Sequence, residues 1–306
     1  MSEAPHAASA SVLPAGITDP NFAPPPGTLG NLNVIQQHSL DKFKKELKEE
    51  GYFEEGPIRF TDAGLLKFLR ARKFDVPKAK EMFIACEKWR KEFGVDEIVQ
   101  NFDYPELPIV DKYYPQYYHK NDKDGRPIYI ERLGLLDLKA LYAATTPERQ
   151  IKRLVLEYEK FINERLPACS AAAGHPVETS CTILDLQGVS MSNFYRVKDY
   201  VSKATDIGQN RYPESMGKFY IINAPWAFSA VWSIIKPWLD EVTVKKIDII
   251  GSSYKDKLLA QIPAENLPKQ FGGKCDCPGG CSLSDAGPWN NKEVIEAVES
   301  GQVLSA

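Results

Sequence analysis

Large apolar residues are sparse over the first 30 or so positions and then begin to recur at helical spacing. Leu40, Phe43 and Leu47 fall on one face of a charged segment, which predicts an amphipathic helix. Thr61 and Asp62 offer a cap ahead of Leu65, Leu66, Phe68 and Leu69. Asp75 before Val76 and Pro77 marks another helix start. Ala79, Met82, Phe83, Cys86, Trp89 and Phe93 then follow at helical spacing, and Gly94 ends the run. The pattern predicts a small all-helical domain over residues 34–100. Residues 1–33 before it are rich in Ala, Pro and Ser and are expected to be a disordered tail.

Beyond residue 110 the pattern changes to short apolar runs alternating with helical stripes. Residues 128–133 read as a strand after the turn residues Lys123, Asp124, Gly125 and Arg126. Thr146, Pro147 and Glu148 open a long helix whose stripe is Ile151, Leu154, Val155, Tyr158, Phe161 and Ile162. Further strands are predicted at 180–186, 218–223 and 246–250, with helices at 193–208 and 226–239 between them. Strands that alternate with helices predict an α/β domain over residues 101–273, with a mostly parallel sheet covered by helices. Residues 274–306 read as a polar C-terminal tail with one short helix near 291–299.

Composition narrows the class. The net charge of −3, from 38 basic and 41 acidic residues, does not point to nucleic acid. Residues 65–91 run against that balance, with nine Lys and Arg against three acids. Such a patch suits phosphate groups or an anionic membrane surface, and equally a solvated helix face. No apolar run reaches membrane-spanning length, and no secretory signal pattern opens the chain. Cys86, Cys169 and Cys181 read as isolated buried thiols. Cys275, Cys277 and Cys281 form a C-x-C-x₃-C group in which zinc is conceivable, but three ligands without a fourth nearby match a zinc site weakly and no metal is expected. Free thiols without a signal lead to the expectation of a cytoplasmic protein.

The motifs of common α/β enzymes are missing. The sequence has no G-x-S-x-G elbow, no phosphate-binding P-loop and no G-x-G-x-x-G after a strand. His6, His38, His119 and His175 are scattered, and His119, beside two tyrosines, reads as a surface or hydrogen-bonded side chain. No enzyme activity and no cofactor is expected.

Other features suggest a ligand pocket. Residues 226–235 are apolar nearly all round, a pattern that fits a buried core helix or a lid over an apolar cavity. At about 1.5 Å per residue the segment is too short to cross a bilayer. Its neighbourhood carries Trp226, Trp232 and Trp238, a residue type favoured at membrane interfaces. Ser180 and Thr182 stand two apart on a strand and point to one face, where they could hold a phosphate or simply meet water. Tyr118, Tyr129 and Tyr158 lie on three different elements, and tyrosine faces can hold a quaternary ammonium.

The stretches LLKFLRARKFDVPKAKEMF (65–83), YYPQYYHKNDKDGRPIYIERLG (113–134), VETSCTILDLQGVS (177–190), RYPESMGKFYIINAPWAFSAVW (211–232) and IPAENLPKQFGG (262–273) resemble, in order, the CRAL-TRIO lipid-binding family. The resemblance covers roughly residues 34–289. It implies a helical N-terminal part, an apolar pocket gated by a helix, and one phosphatidylinositol or phosphatidylcholine as ligand. For phosphatidylcholine it implies Ser180 and Thr182 at the phosphate and Tyr118, Tyr129 and Tyr158 around the choline. For phosphatidylinositol it implies Arg72, Lys73, Asp122, Glu214, Thr243 and Lys246. The gate is implied at residues 226–246, with Trp226, Phe228, Val231, Trp232 and Ile235 on the helix. Ser215 departs from the Arg expected in such proteins, and the gate tryptophans depart from Gly or Phe-like residues. The implied setting is a monomer that visits Golgi or endosomal membranes transiently, with lipid kinases as possible partners and no nucleic acid. A sterol, tocopherol or retinoid carrier and a protein-interaction module remain as alternative readings.

Overall fold

The structure, a computed structural model, describes residues 18–189 and 191–300, without the side chains of residues 191–195 and 197. Three helices build the N-terminal unit: α1 (Val34–Glu49), α2 (Asp62–Ala71) and α3 (Val76–Phe93). Their ends follow local chemistry. Thr61 accepts a hydrogen bond from the Gly64 N–H and Asp75 from the Lys78 N–H, while Gly94 closes α3 in the left-handed region at φ +73°. Leu40, Phe43, Leu47, Leu65, Leu66, Leu69 and Phe83 form the centre of this unit, all essentially without exposure.

The expectation of a disordered tail over residues 1–33 holds for no part of residues 18–33, and residues 1–17 lie outside the described residues. Leu29 and Leu32 pack on the helical core, Phe22 stacks on His175 at 4.4 Å, and the Thr18 N–H donates to the Gly174 carbonyl at 2.8 Å. A few apolar pegs suffice to order a proline-rich segment whose backbone is already restricted.

Helices α4 (Val95–Asn101) and α5 (Leu107–Tyr113) lead into a five-stranded sheet in the order β1-β2-β3-β4-β5. The strands are β1 (Gln116–Asn121), β2 (Pro127–Arg132), β3 (Ser180–Asp185), β4 (Met216–Ile222) and β5 (Ile247–Ile249). β1 pairs antiparallel with β2, and all other pairs are parallel. The connections carry α6 (Leu138–Ala144), α7 (Pro147–Lys160), α8 (Leu166–Ala173), α9 (Met191–Arg211), α10 (Phe228–Ile235) and α11 (Glu241–Lys245). α12 (Lys255–Gln261) and α13 (Lys292–Glu299) follow β5. Thr146 caps α7 as its sequence suggests, and a π-turn at Phe161–Arg165 carries the chain from α7 into α8.

Strand register sorts the side chains onto two faces. One face sets Ile128, Ile130, Cys181, Ile183 and Tyr220 against Leu258, Ile262 and Phe271 in a dry core. The opposite face holds one cross-strand row of Tyr118, Tyr129, Thr182, Phe219 and Ile247. The next row on that face is Gln116, Glu131, Leu184, Ile221 and Ile249.

A buried ion pair ties α3 to α7. Arg90 reaches both carboxylate oxygens of Glu159, at 2.6 and 3.1 Å, and the Tyr212 hydroxyl donates to the same carboxylate at 2.7 Å. Removing one partner leaves the other charge buried alone, so Arg90→Ala is expected to lower the unfolding free energy by about 3–5 kcal/mol. Denaturant titration checks this, and a loss below about 1 kcal/mol would show that the pair does not join the two units.

Candidate functional site

The second face of the sheet is the floor of a cavity of about 900 Å³. α7 and α9 wall it, α10 covers it, and residues near α11 and the end of α2 stand at one end. The size lies at the upper end of small-molecule pockets. Most of the lining is apolar, including Leu154, Phe161, Leu184, Leu186, Phe219 and Ile221.

The three tyrosines singled out in the sequence meet here. Tyr118 and Tyr129 are cross-strand neighbours with ring centroids 5.0 Å apart, and Tyr158 comes across from α7. Tyr158 stacks on Tyr212 at 4.5 Å, and Gly208 on α9 makes room for it. A Cβ at position 208 would stand 2.7 Å from the Tyr158 hydroxyl. Burial raises the phenol of Tyr158 to about 12, and raises Tyr118 and Tyr129 further, so all three rings are neutral. The Tyr118 ring already carries a cation, the Arg165 guanidinium at 4.3 Å from its centroid.

Ser180 and Thr182 are buried on the same floor, their hydroxyls 3.4 Å apart. The Ser180 hydroxyl also lies 3.3 Å from the Ser215 carbonyl, and its N–H donates to that carbonyl at 2.9 Å. Ser215 itself lines the cavity, its hydroxyl turned to the Tyr212 carbonyl at 2.8 Å.

The charged set gathers at the end formed by α2 and α11. Lys246 donates to the Met216 carbonyl at 2.8 Å and stands 4.0 Å from the Glu214 carboxylate. Arg70, which the sequence reading passed over, reaches the same carboxylate at 3.8 Å and binds Glu178 at 2.7 Å. Arg72 and Lys73 line the cavity just past α2. Lys73 and Glu214 both hold left-handed backbone, at φ +52° and +56°. Non-glycine residues adopt that region at a cost, and such positions cluster at ligand clamps. Thr243 also lines the cavity, but its hydroxyl is paired with Asp240, which caps α11.

Two expected residues are not brought to the cavity. Asp122 is buried in the turn between β1 and β2. Its carboxylate accepts from the backbone N–H groups of Asp124 and Arg126 at 3.0 and 2.8 Å and from Gln261 at 2.8 Å. Those bonds hold it as a turn anchor, away from the cavity lining. Trp226 precedes the helix it was assigned to and is 93% exposed, outside the cavity lining. The expected helix over 226–239 is shorter, ending at Ile235 and passing through a 3₁₀ turn at Lys236–Trp238. Phe228, Val231, Trp232 and Ile235 do face the cavity, and Phe228 and Val231 bury against Leu186 and Ile221.

One side chain ties α9 to the segment that follows α10. Gln209 on α9 donates to the Trp238 carbonyl at 2.5 Å and accepts from the Asp240 N–H at 3.1 Å. Both bonds fall on the chain between α10 and α11.

Glu131 is the second residue that sequence reasoning missed. It shares the cavity face with Tyr129 and accepts a hydrogen bond from Tyr114. Burial raises its carboxyl above the ordinary value, and the Tyr114 hydroxyl partly offsets that. The signal was available, since Tyr129 and Glu131 stand two apart on one strand and a charge on a buried strand face is unusual.

The CRAL/TRIO domain family pattern matches residues 111–273, and its N-terminal domain pattern matches residues 39–85. The Sec14 cytosolic factor of Schizosaccharomyces pombe is 56% identical over 280 residues, which cover 92% of this chain and 96% of that one. Phosphatidylinositol/phosphatidylcholine transfer protein SFH12 of Arabidopsis thaliana is 44% identical over 240 residues, or 78% of this chain and 44% of that one. The crystal structure of Sfh5 superposes with a TM-score of 0.63 at 19% identity, covering 88% of this chain and 97% of that one, and shares the fold.

Proposed function

We propose that this chain, which belongs to the CRAL/TRIO family, carries one phospholipid at a time, phosphatidylinositol or phosphatidylcholine, between membranes. The observation that carries this reading is one mostly apolar cavity whose polar lining joins the Ser180 and Thr182 hydroxyls and three tyrosines to the Lys246 and Glu214 charges, which meet Ser180 across Ser215 and Met216. Neutral aromatic rings beside Ser180, Thr182 and Glu131 suit a phosphate followed by a cation without hydrogen-bond donors. Lys246, Arg72, Lys73 and Glu214 suit a phosphorylated polyol.

The apolar interior answers the main energetic problem. Two acyl chains leaving a bilayer give up about 0.8 kcal/mol per CH₂, roughly 20–25 kcal/mol in all. A carrier must replace nearly all of that with its own contacts. It must also open. α10 with its Gln209 latch is the cover in this reading, and the exposed Trp226 beside it is placed to touch the membrane interface during exchange. Among the described residues no helix is long and apolar enough to cross a membrane. In this reading the chain is a carrier and not a catalyst, works as a monomer, and moves its lipid between membranes or presents it to lipid kinases at Golgi or endosomal membranes.

Incubation with mixed vesicles, re-isolation and native mass spectrometry test the proposal. One phosphatidylinositol or phosphatidylcholine per chain is expected. A sterol or isoprenoid in the cavity would overturn the headgroup assignment, and an empty cavity would overturn the carrier reading.

Glu131 adds a pH dependence. Its carboxyl is ionised only above a raised pKa, so its charge is lost on acidification before that of an ordinary carboxylate. Phosphatidylcholine transfer is expected to fall over that window, because the choline loses a nearby negative charge. Glu131→Gln should lower phosphatidylcholine transfer about fivefold at neutral pH, as expected for about 1 kcal/mol of ionic attraction, and remove the acid-side decline. An unchanged pH profile in the variant would assign the titration to another group.

A further inference from the structure

On the far side of β1 from the cavity lies a group of side chains that lipid binding does not use. We propose that His119, Cys275, Cys277 and Cys281 form a closed tetrahedral site for a zinc-type metal ion, which staples residues 274–290 to the edge of the sheet. The ligand atoms of all four lie within 4.8 Å of one another. His119 Nε2 is 3.3 Å from Cys275 Sγ, and Cys275 Sγ is 3.7 Å from Cys277 Sγ. With Zn–S of about 2.3 Å and Zn–N of about 2.0 Å, the corners of a tetrahedron stand roughly 3.5–3.8 Å apart. The two measured edges fall close to that figure. Three soft sulfurs and one imidazole favour zinc over hard cations.

The sequence reading expected no metal because a fourth ligand was missing from the neighbourhood of the cysteines. The fold supplies it from a strand 156 residues away. His119 is fully buried, and its other ring nitrogen lies 3.4 Å from the Ser284 hydroxyl. A partner on Nδ1 fixes ring orientation and leaves Nε2 to face the sulfurs, as in known metal-bound histidines. Cys275 is placed by backbone bonds, its N–H to the Leu267 carbonyl and its carbonyl to the Lys269 N–H, both at 3.0 Å. Gly279 and Gly280, at φ +78° and +98°, then turn the loop so that Cys281 returns to the group.

A second observation asks for such a staple. Between Lys274 and Gly287 the only large apolar residue is Leu283, and it is 46% exposed. The segment therefore buries little apolar surface of its own, yet it delivers Trp289 to a buried position against Tyr118 and Arg165. A segment without a core needs another source of order, and a structural metal supplies it. Binding would displace three thiol protons, giving a site of net charge −1 from three thiolates and one divalent ion. The metal would sit behind the tyrosine wall and stiffen it without meeting lipid.

The test uses the full chain purified without chelator. Elemental analysis and native mass spectrometry are expected to find about one zinc per chain, and Co²⁺ exchange should give the intense visible bands of a tetrahedral thiolate site. Cys277 and Cys281 are only half-buried, so the double variant C277S/C281S should fold with an unchanged far-ultraviolet spectrum, lose the metal, and show faster hydrogen exchange over residues 274–290. Three alkylatable thiols with no metal after incubation with excess Zn²⁺ would overturn the proposal, as would a disulfide within the trio in the purified chain. Full metal retention by the double variant would overturn it as well.

Discussion

Lys246→Ala is expected to lower phosphatidylinositol transfer between vesicles by about 10–100-fold, the worth of one hydrogen bond to a charged group, and to leave phosphatidylcholine transfer within about twofold. An ammonium has three donors, and the Met216 carbonyl takes one of them at 2.8 Å. The Glu214 carboxylate at 4.0 Å holds the chain in place without consuming the others. A phosphate or inositol hydroxyl entering between Lys246 and Lys73 meets donors already oriented. Choline offers no acceptor for them. Lys246 is partly solvated, so its loss should not cost much stability, and thermal unfolding of the variant serves as the control. Equal loss for both lipids would end the two-headgroup reading and make Lys246 a general entrance or membrane-contact residue.

The contrast between what was legible in the sequence and what was not follows how local each determinant is. The ends of α2, α3 and α7 are written in single residues, Thr61, Asp75 and Thr146, each bonding an N–H three residues on. β4 is legible because Phe219, Tyr220, Ile221 and Ile222 make a near-continuous apolar run. β1 is not legible. Tyr117 and Tyr118 are adjacent, so no alternation shows, and the strand exists only through its antiparallel partner. Asp122 is misleading for a related reason, since a carboxylate in a turn and one at a phosphate site look alike until the turn's N–H groups are seen to occupy it. The left-handed backbone at Lys73 and Glu214 has no glycine to announce it. His119 and the three cysteines are the extreme case, since only the folded chain brings them together.

Removing the two hydroxyls of the floor should give the mirror image of the Lys246 result. Ser180→Ala with Thr182→Val deletes two hydroxyls from residues that line the cavity, at small cost in shape. Each hydrogen bond to a charged phosphate is worth about 1.5–3 kcal/mol, so phosphatidylcholine transfer is expected to fall about 100-fold or more. Phosphatidylinositol transfer should fall far less, because its phosphate also has the Lys246 ammonium to meet. The hydroxyls are buried with only each other and the Ser215 carbonyl nearby, so the loss should not unfold the floor. Combining these changes with Lys246→Ala then isolates the acyl cavity from both headgroup sets. That variant should still shelter apolar probes while exchanging neither lipid. If it exchanges both as well as the parent chain, apolar burial alone selects the ligand, and the polar residues on the wall have no part in the choice.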